Sequence, residues 1–216
     1  MNNRFLALLA ATAATSIFGF NHTIAKELMP DVLSPNALLY CRVLGAGICF
    51  WIVSFFVKKE KIEFKDFRLI IICAVFGMCL NMITALNGLY YSTPINSSII
   101  VTATPIFIFL ISVILLKEKI SKRKYIGVFI GFIGTLALIL LNEKTVDNAP
   151  NIKLGNIYLF INSISYALYF VLVKSLTEKY NMITIMKWLF LFAVIINVPF
   201  GFIEFTEVKW TAMNNI

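Results

Sequence analysis

Charge is scarce in this sequence. Only 14% of its 216 residues are Asp, Glu, Lys or Arg, while 60% are hydrophobic. A soluble domain usually carries about 25% charged and about 45–50% apolar residues. Charges this few cannot cover a water-facing surface, which excludes an ordinary soluble globular protein. Acids are scarcer still, 11 against 19 basic residues, and every one lies in a loop or at the end of an apolar block. A proton relay through an intramembrane Asp or Glu therefore has no candidate. Histidine is reduced to His22 alone. Without paired carboxylates, a nucleophile–base pair or a ligand cluster inside the blocks, a membrane enzyme has little to work with. The four cysteines, Cys41, Cys49, Cys73 and Cys79, form no CxxC and have no neighbouring His. They read as small buried hydrophobes rather than metal ligands. Strict apolar–polar alternation is missing as well, which excludes a β-barrel.

Long apolar blocks are what remains, with a mean hydropathy of +0.86. A membrane-crossing helix needs about 20 mostly apolar residues. Seven blocks qualify: 5–24, 36–57, 69–89, 95–116, 125–141, 155–173 and 183–203. Backbone polar groups in hydrocarbon must be satisfied internally, so these blocks are helices and the fold class is an all-α polytopic bundle. The net charge of +8 is not a nucleic-acid footprint, because most basic residues sit in short runs between the blocks. "KKEKIEFKDFR" (58–68) and "KEKISKRK" (117–124) fall on one side of the membrane by parity, and the positive-inside rule makes that side cytoplasmic. The N-terminus then lies in the cytoplasm, with a plasma (inner) membrane as the setting. A cleaved signal peptide is the rival for the first block, but its apolar run continues to spanning length and "ATA" comes too early.

The chain also repeats itself faintly. "ATSIFGFNHTIAK" (14–26) lies over "NSISYALYFVLVK" (162–174), and each is followed by a span with a cation, Arg42 or Lys187. An odd number of spans separates the copies, so the second would cross in the opposite sense, an inverted repeat. Residues 1–142 then form a first five-helix unit, and 153–216 begin a second that stops after about two helices; ten spans would complete the pair.

"GLYYSTPINSSIIVTATPIFIFLISVILLKEKISKRKYIGVFIGFIGTLALIL" resembles the signature region of the drug/metabolite transporter superfamily, EamA type. It has a Tyr before a small-residue run, a Pro in the next span, Glu118 closing that span, and then Gly-spaced residues. "GNIYLFINSISYALYFVLVK" is similar to that family's second-repeat opening, and "FGFNHTIAK" with "SPNALLYCR" to its first two spans. The resemblance implies a ten-helix carrier of two inverted halves, moving small organic solutes. Asn156 stands where an acid is common in the family.

Several residues could line a solute path. Arg42 sits roughly 9 Å below the outer edge of its span, at a rise of about 1.5 Å per residue. Either it snorkels, or it faces the bundle and meets a carboxylate or phosphate of the solute. Asn21 and Lys26, on the first span, join it. In "PINSSIIVTATPIFIFL" (94–110), Asn96, Ser98, Thr102 and Pro105 fall loosely on one side of a helix, which Ser97 does not join. Pro105 removes a donor and frees a carbonyl near Val101. These groups either wall a wet path or pack helices together. Tyr91 belongs to an interfacial aromatic belt or caps the path. Tyr166 and Tyr169 share a helical face. Gly127, Gly131 and Gly134 form a small-residue face for close packing. The sequence thus points to a secondary carrier of small metabolites, such as amino acids, working by alternating access. The alternative is a membrane enzyme or flippase acting on a lipid-linked metabolite. No cofactor or metal is called for; the partners are a small solute and the bilayer, not nucleic acid, with a homodimer as an allowed assembly.

Overall fold

Short polar caps decide where the helices begin. In "LSPNA", "STPIN" and "KYNMI", a Ser, Thr or Asn precedes an apolar run, and Pro follows in the first two. Such residues cap orphan N–H groups, and Pro suits the first turn because its missing donor is not needed there. In the computed structural model, which describes residues 3–29, 32–116, 126–131, 133, 134, 137 and 149–208, each signal starts a helix. Ser34 Oγ accepts from Ala37 N at 3.1 Å, Thr93 Oγ1 from Asn96 N at 3.1 Å, and Asn181 Oδ1 from Ile183 N at 2.9 Å.

The described elements are all helical: α1 (Asn3–Leu28), α2 (Pro35–Ser54), α3 (Phe64–Ala74), a π-helical segment (Val75–Leu80), α4 (Asn81–Tyr91), α5 (Pro94–Thr102), α6 (Thr104–Leu116), α7 (Ile152–Thr177) and α8 (Met182–Thr206). Because α3, the π segment and α4 run on continuously, and α5 and α6 meet end to end, the described residues make six helices long and apolar enough to cross a membrane. The chain is therefore a multipass membrane protein. The predicted block at 125–141 is helical wherever it is described, and the rest of it, like the basic run 117–124 and Glu118, lies outside the described residues.

Two predicted spans are interrupted. A π turn takes one more residue than an α turn and displaces its carbonyls from their usual partners. Phe76 O, inside the π segment, instead accepts Ser165 Oγ of α7 at 2.6 Å. The second break falls at Ala103, two residues before the missing Pro105 donor, where Ala103 N turns back to Ile100 O at 3.0 Å.

The ends of the spans gather on two faces. On the Tyr91 face, α1, α4 and α8 end while α2, α5 and α7 begin; Asn151 N, at the start of α7, reaches Tyr91 O at 3.3 Å. On the Asp66 face, α3 begins beside the turn between α7 and α8. Antiparallel α2 and α8 interlock through aromatic rings: Tyr40 on Phe202, Phe50 on Phe190, and Trp51 on Trp188. The core lies among α2, α3, α4, α7 and α8. Residues 4–20 of α1 are exposed, and only its last turns are packed. Cys73 and Cys79 are buried and Cys41 is half-buried, whereas Cys49 is exposed, not buried as its apolar block suggested. Of the three glycines expected to pack closely, Gly131 lies against Ile106, while Gly127 and Gly134 meet none of the described residues where a side chain would be.

Candidate functional site

Lone amides inside apolar helices are the starting point. An Asn in hydrocarbon must find partners, because each unsatisfied polar group there costs several kcal/mol. Asn81, at the start of α4, and Asn162 of α7 solve this together. Asn81 Nδ2 donates to Asn162 O at 3.2 Å, and Asn162 Nδ2 donates to Asn81 O at 2.8 Å. Close by, Asn197 of α8 donates to Cys79 Sγ at 3.2 Å and to Ala193 O at 2.8 Å, while its Oδ1 has no partner among the described residues. Thr84 returns its hydroxyl to Leu80 O at 2.7 Å. With Ser165 on Phe76 O, these groups form a polar seam near mid-depth where the π segment meets α7 and α8. Tyr169 fits the same place because Gly77 has no side chain; a Cβ there would lie 2.5 Å from the ring.

A second polar cluster joins α5 to α7 on the Tyr91 face. Ser92 Oγ donates to Asn156 Oδ1 at 2.8 Å, and Asn96 Nδ2 donates to Ser92 Oγ at 3.3 Å. Asn156 is fully buried and its Nδ2 has no partner among the described residues; farther along α7, Ser163 Oγ is in the same condition. The buried face of α5 and α6 runs through Asn96, Ser97, Ile100, Ala103, Thr104 and Phe107. Ser98, Thr102 and Pro105 are exposed. Ser98 and Thr102 turn their hydroxyls back to Pro94 O at 2.8 Å and Ile99 O at 2.6 Å. Pro105 instead lines an open apolar hollow of about 340 Å³ with Ile106, Phe109, Gly127 and Val128. The proposed stripe is thus divided between two sides of the helix, and Ser97, set apart from it in sequence, belongs to the buried side.

Arg42 and Asn21 do meet: the half-buried guanidinium donates from Nη2 to Asn21 Oδ1. No carboxylate lies within ion-pair distance of Arg42 among the described residues. Lys26 is differently placed. Its Nζ reaches Leu89 O at 2.8 Å, Tyr90 O at 2.7 Å and Ser92 O at 2.8 Å. An ammonium has three protons, so all three are engaged in closing the end of α4. Tyr91 stacks on Tyr158 with centroids 6.0 Å apart and meets Tyr90 edge-on at 4.9 Å. Tyr166 and Tyr169 have centroids 5.9 Å apart, with Tyr169 buried and Tyr166 exposed. The side chain of His22 lies outside the described residues.

Asn81, Asn162, Ser165 and Asn197 are the residues that a search for charge overlooks. Their signal in sequence is a single amide or hydroxyl deep in an apolar block, and which of them converge depends on helix rotation. Among the described residues no cluster of His, Cys, Asp and Glu could hold a metal ion. Amides, hydroxyls and one guanidinium can bind and orient a solute; they offer no general acid–base pair.

Membrane-length helices, one of them broken beside buried amides, define a polytopic protein with polar groups enclosed between its spans. The chain belongs to the EamA-like transporter family, which it matches over residues 5–140. It is 28% identical over 210 residues to YetK, an uncharacterized transporter of Bacillus subtilis (strain 168), covering 95% of this chain and 62% of that protein. An uncharacterized transporter of Archaeoglobus fulgidus is 28% identical over 153 residues, covering 71% of this chain and 52% of the relative. The S-adenosylmethionine uptake transporter of Rickettsia prowazekii is 24% identical over 112 residues, 52% of this chain and 36% of that protein. The chain thus spans between about half and three-fifths of the length of its first two relatives. No solved structure matches it.

Proposed function

We propose that this protein is a secondary carrier for a small organic solute with an anionic group, a carboxylate foremost, and that it works by alternating access between inverted halves. The observation that carries the reading is Arg42. A guanidinium in an apolar span is costly, and here its partner is the neutral carbonyl of Asn21 rather than an acid. A carboxylate arriving with the solute would supply the missing charge and match the planar fork of donors.

Family membership supports membrane transport of small metabolites. The name of the Rickettsia relative adds a chemical hint, since S-adenosylmethionine carries a carboxylate beside an ammonium. Amino acids and their derivatives are therefore the first solutes to try. The broken spans are of the kind that line solute sites in other carriers. The basic loop 58–68 supports a cytoplasmic Asp66 face and a cytoplasmic N-terminus in the plasma membrane.

The test is uptake of labelled S-adenosylmethionine and a panel of labelled amino acids by proteoliposomes holding the full chain. Arg42→Ala should abolish transport of whichever anionic or zwitterionic solute is accepted, with insertion unchanged. Wild-type uptake by that variant would sink the proposal.

A further inference from the structure

The first half of the third span is built like a lever. Residues 58–63, which precede α3, have no regular structure, and after Ala74 the helix passes into the π segment. An α-helix keeps its stiffness through unbroken bonding, so a π turn is a natural place to bend. One face of α3 packs inward through Asp66, Ile70, Cys73 and Ala74, all buried.

Asp66 stands at the start of that face and is held by the turn between the two helices packed beside it, α7 and α8. Lys179 Nζ lies 3.2 and 3.1 Å from its two oxygens, and Tyr180 Oη donates to Oδ2 at 2.8 Å. Tyr180 Oη in turn accepts from Glu63 N at 3.1 Å, and Glu60 Oε2 accepts from Asn181 N at 2.8 Å. Every partner belongs to the short turn between α7 and α8. The Lys179 side chain is 48% exposed while that of Asp66 is 11% exposed, so water reaches the clasp from one side. A bond at the water's edge can exchange for hydration with little penalty, whereas a buried pair cannot. Beyond the hinge lies the polar seam of Asn81, Asn162 and Asn197.

From this geometry we infer that α3 is a gate: it pivots on Val75–Leu80, and the Asp66–Lys179–Tyr180 clasp latches it shut over the mid-depth seam on the Asp66 face. The inference rests on the carrier reading above, but its test does not require a solute. Cys73 lies about 10 Å along α3 from the latch and is fully buried, so its thiol reports opening. In a Cys41→Ser, Cys49→Ser background, alkylation by N-ethylmaleimide is followed in membrane vesicles, with mass spectrometry separating Cys73 from Cys79. Asp66→Asn and Tyr180→Phe should each speed alkylation of Cys73, by about three- to tenfold once solvent screening is allowed for. The swap Asp66→Lys with Lys179→Asp should return the rate toward the parent. A membrane-impermeant methanethiosulfonate should detect the change only from the Asp66 side.

Equal Cys73 rates in the parent and in Tyr180→Phe, the mildest variant, would overturn the latch; so would a charge swap as fast as Asp66→Asn. Faster labelling from both sides would mean general unfolding and would also overturn it. Loss of the carrier reading would appear separately, as proteoliposomes that move no solute while Cys73 still reports a latch.

Discussion

Asn81 and Asn162 each give a side-chain amide proton to the other's backbone carbonyl, at 3.2 and 2.8 Å. Each acceptor survives mutation of its own side chain, which sets this pair apart from one in which two side chains meet. Asn81→Ala and Asn162→Ala should each weaken the fold by about 0.6–2 kcal/mol, the range for polar contacts between membrane helices. Their effects should be nearly additive, with a coupling below about 0.5 kcal/mol in a double-mutant cycle. Unfolding in mixed detergent micelles measures all three values. A strong coupling would show that the two amides act through each other.

Lys26 is expected to be a stability residue whose loss leaves solute affinity alone. Its ammonium holds three carbonyls where α4 ends and α5 is about to begin. Charge-assisted hydrogen bonds are worth about 1.5–3 kcal/mol each but do not add simply. Lys26→Met should lower the thermal midpoint of the detergent-solubilised protein by several degrees, with an unchanged KM for any transported solute. Arg42→Met should do the reverse.

Two glycines make a sharp contrast. A Cβ on Gly155 would lie 2.6 Å from Ser92 N and 2.8 Å from Tyr91 C, both backbone atoms that cannot step aside. Gly155→Ala should therefore cost about 1–3 kcal/mol through overpacking of α7 against the end of α4. Gly45 has nothing among the described residues within 4 Å of the same position. Gly45→Ala should be neutral or stabilising by about 0.5–1 kcal/mol, since Ala suits a helix interior better. Fluorescence-detected size exclusion after a heat step compares the two directly.

The two sides of α5 should also respond differently. Ser98 and Thr102 are exposed and bonded to their own helix, so Ser98→Ala and Thr102→Val should leave folded protein levels within about 0.5 kcal/mol of the parent. Ser97 is buried, and Ser97→Leu would have to displace neighbouring atoms. It should lower the yield of monodisperse protein after detergent extraction. Equal yields for all three variants would mean that α5 does not bury this face.

The sequence by itself determined the spans, their caps and the class of protein. Length, apolarity and the requirement that lipid-exposed backbone satisfy itself leave helices as the single choice, and "SPN" and "TPI" mark starts to within a residue or so. Pro105 was legible as a missing donor that acts on its own helix, although 95–116 reads as one span in sequence and the break at Ala103 came from the structure. The pairing of Arg42 with Asn21 joins two residues already suspected, although their contact could not be read from spacing. Helix rotation was decided by the tertiary structure alone. Ser98 and Thr102 turn outward and Ser97 inward on the helix whose buried side meets Leu159 and, through Ser92, Asn156 of α7, a choice that period 3.6 in a uniformly apolar block does not express. The π turn at Val75–Leu80 has no motif either; it exists where Ser165 and Tyr169 of a distant helix reach Phe76 O and Gly77. Lys26, which the sequence offered to a solute path, has the end of α4 beside it in the fold, a neighbour that no spacing announces. Local chemistry chooses helices and their ends, whereas the partners of a lone polar group in lipid depend on which helices come to stand next to it.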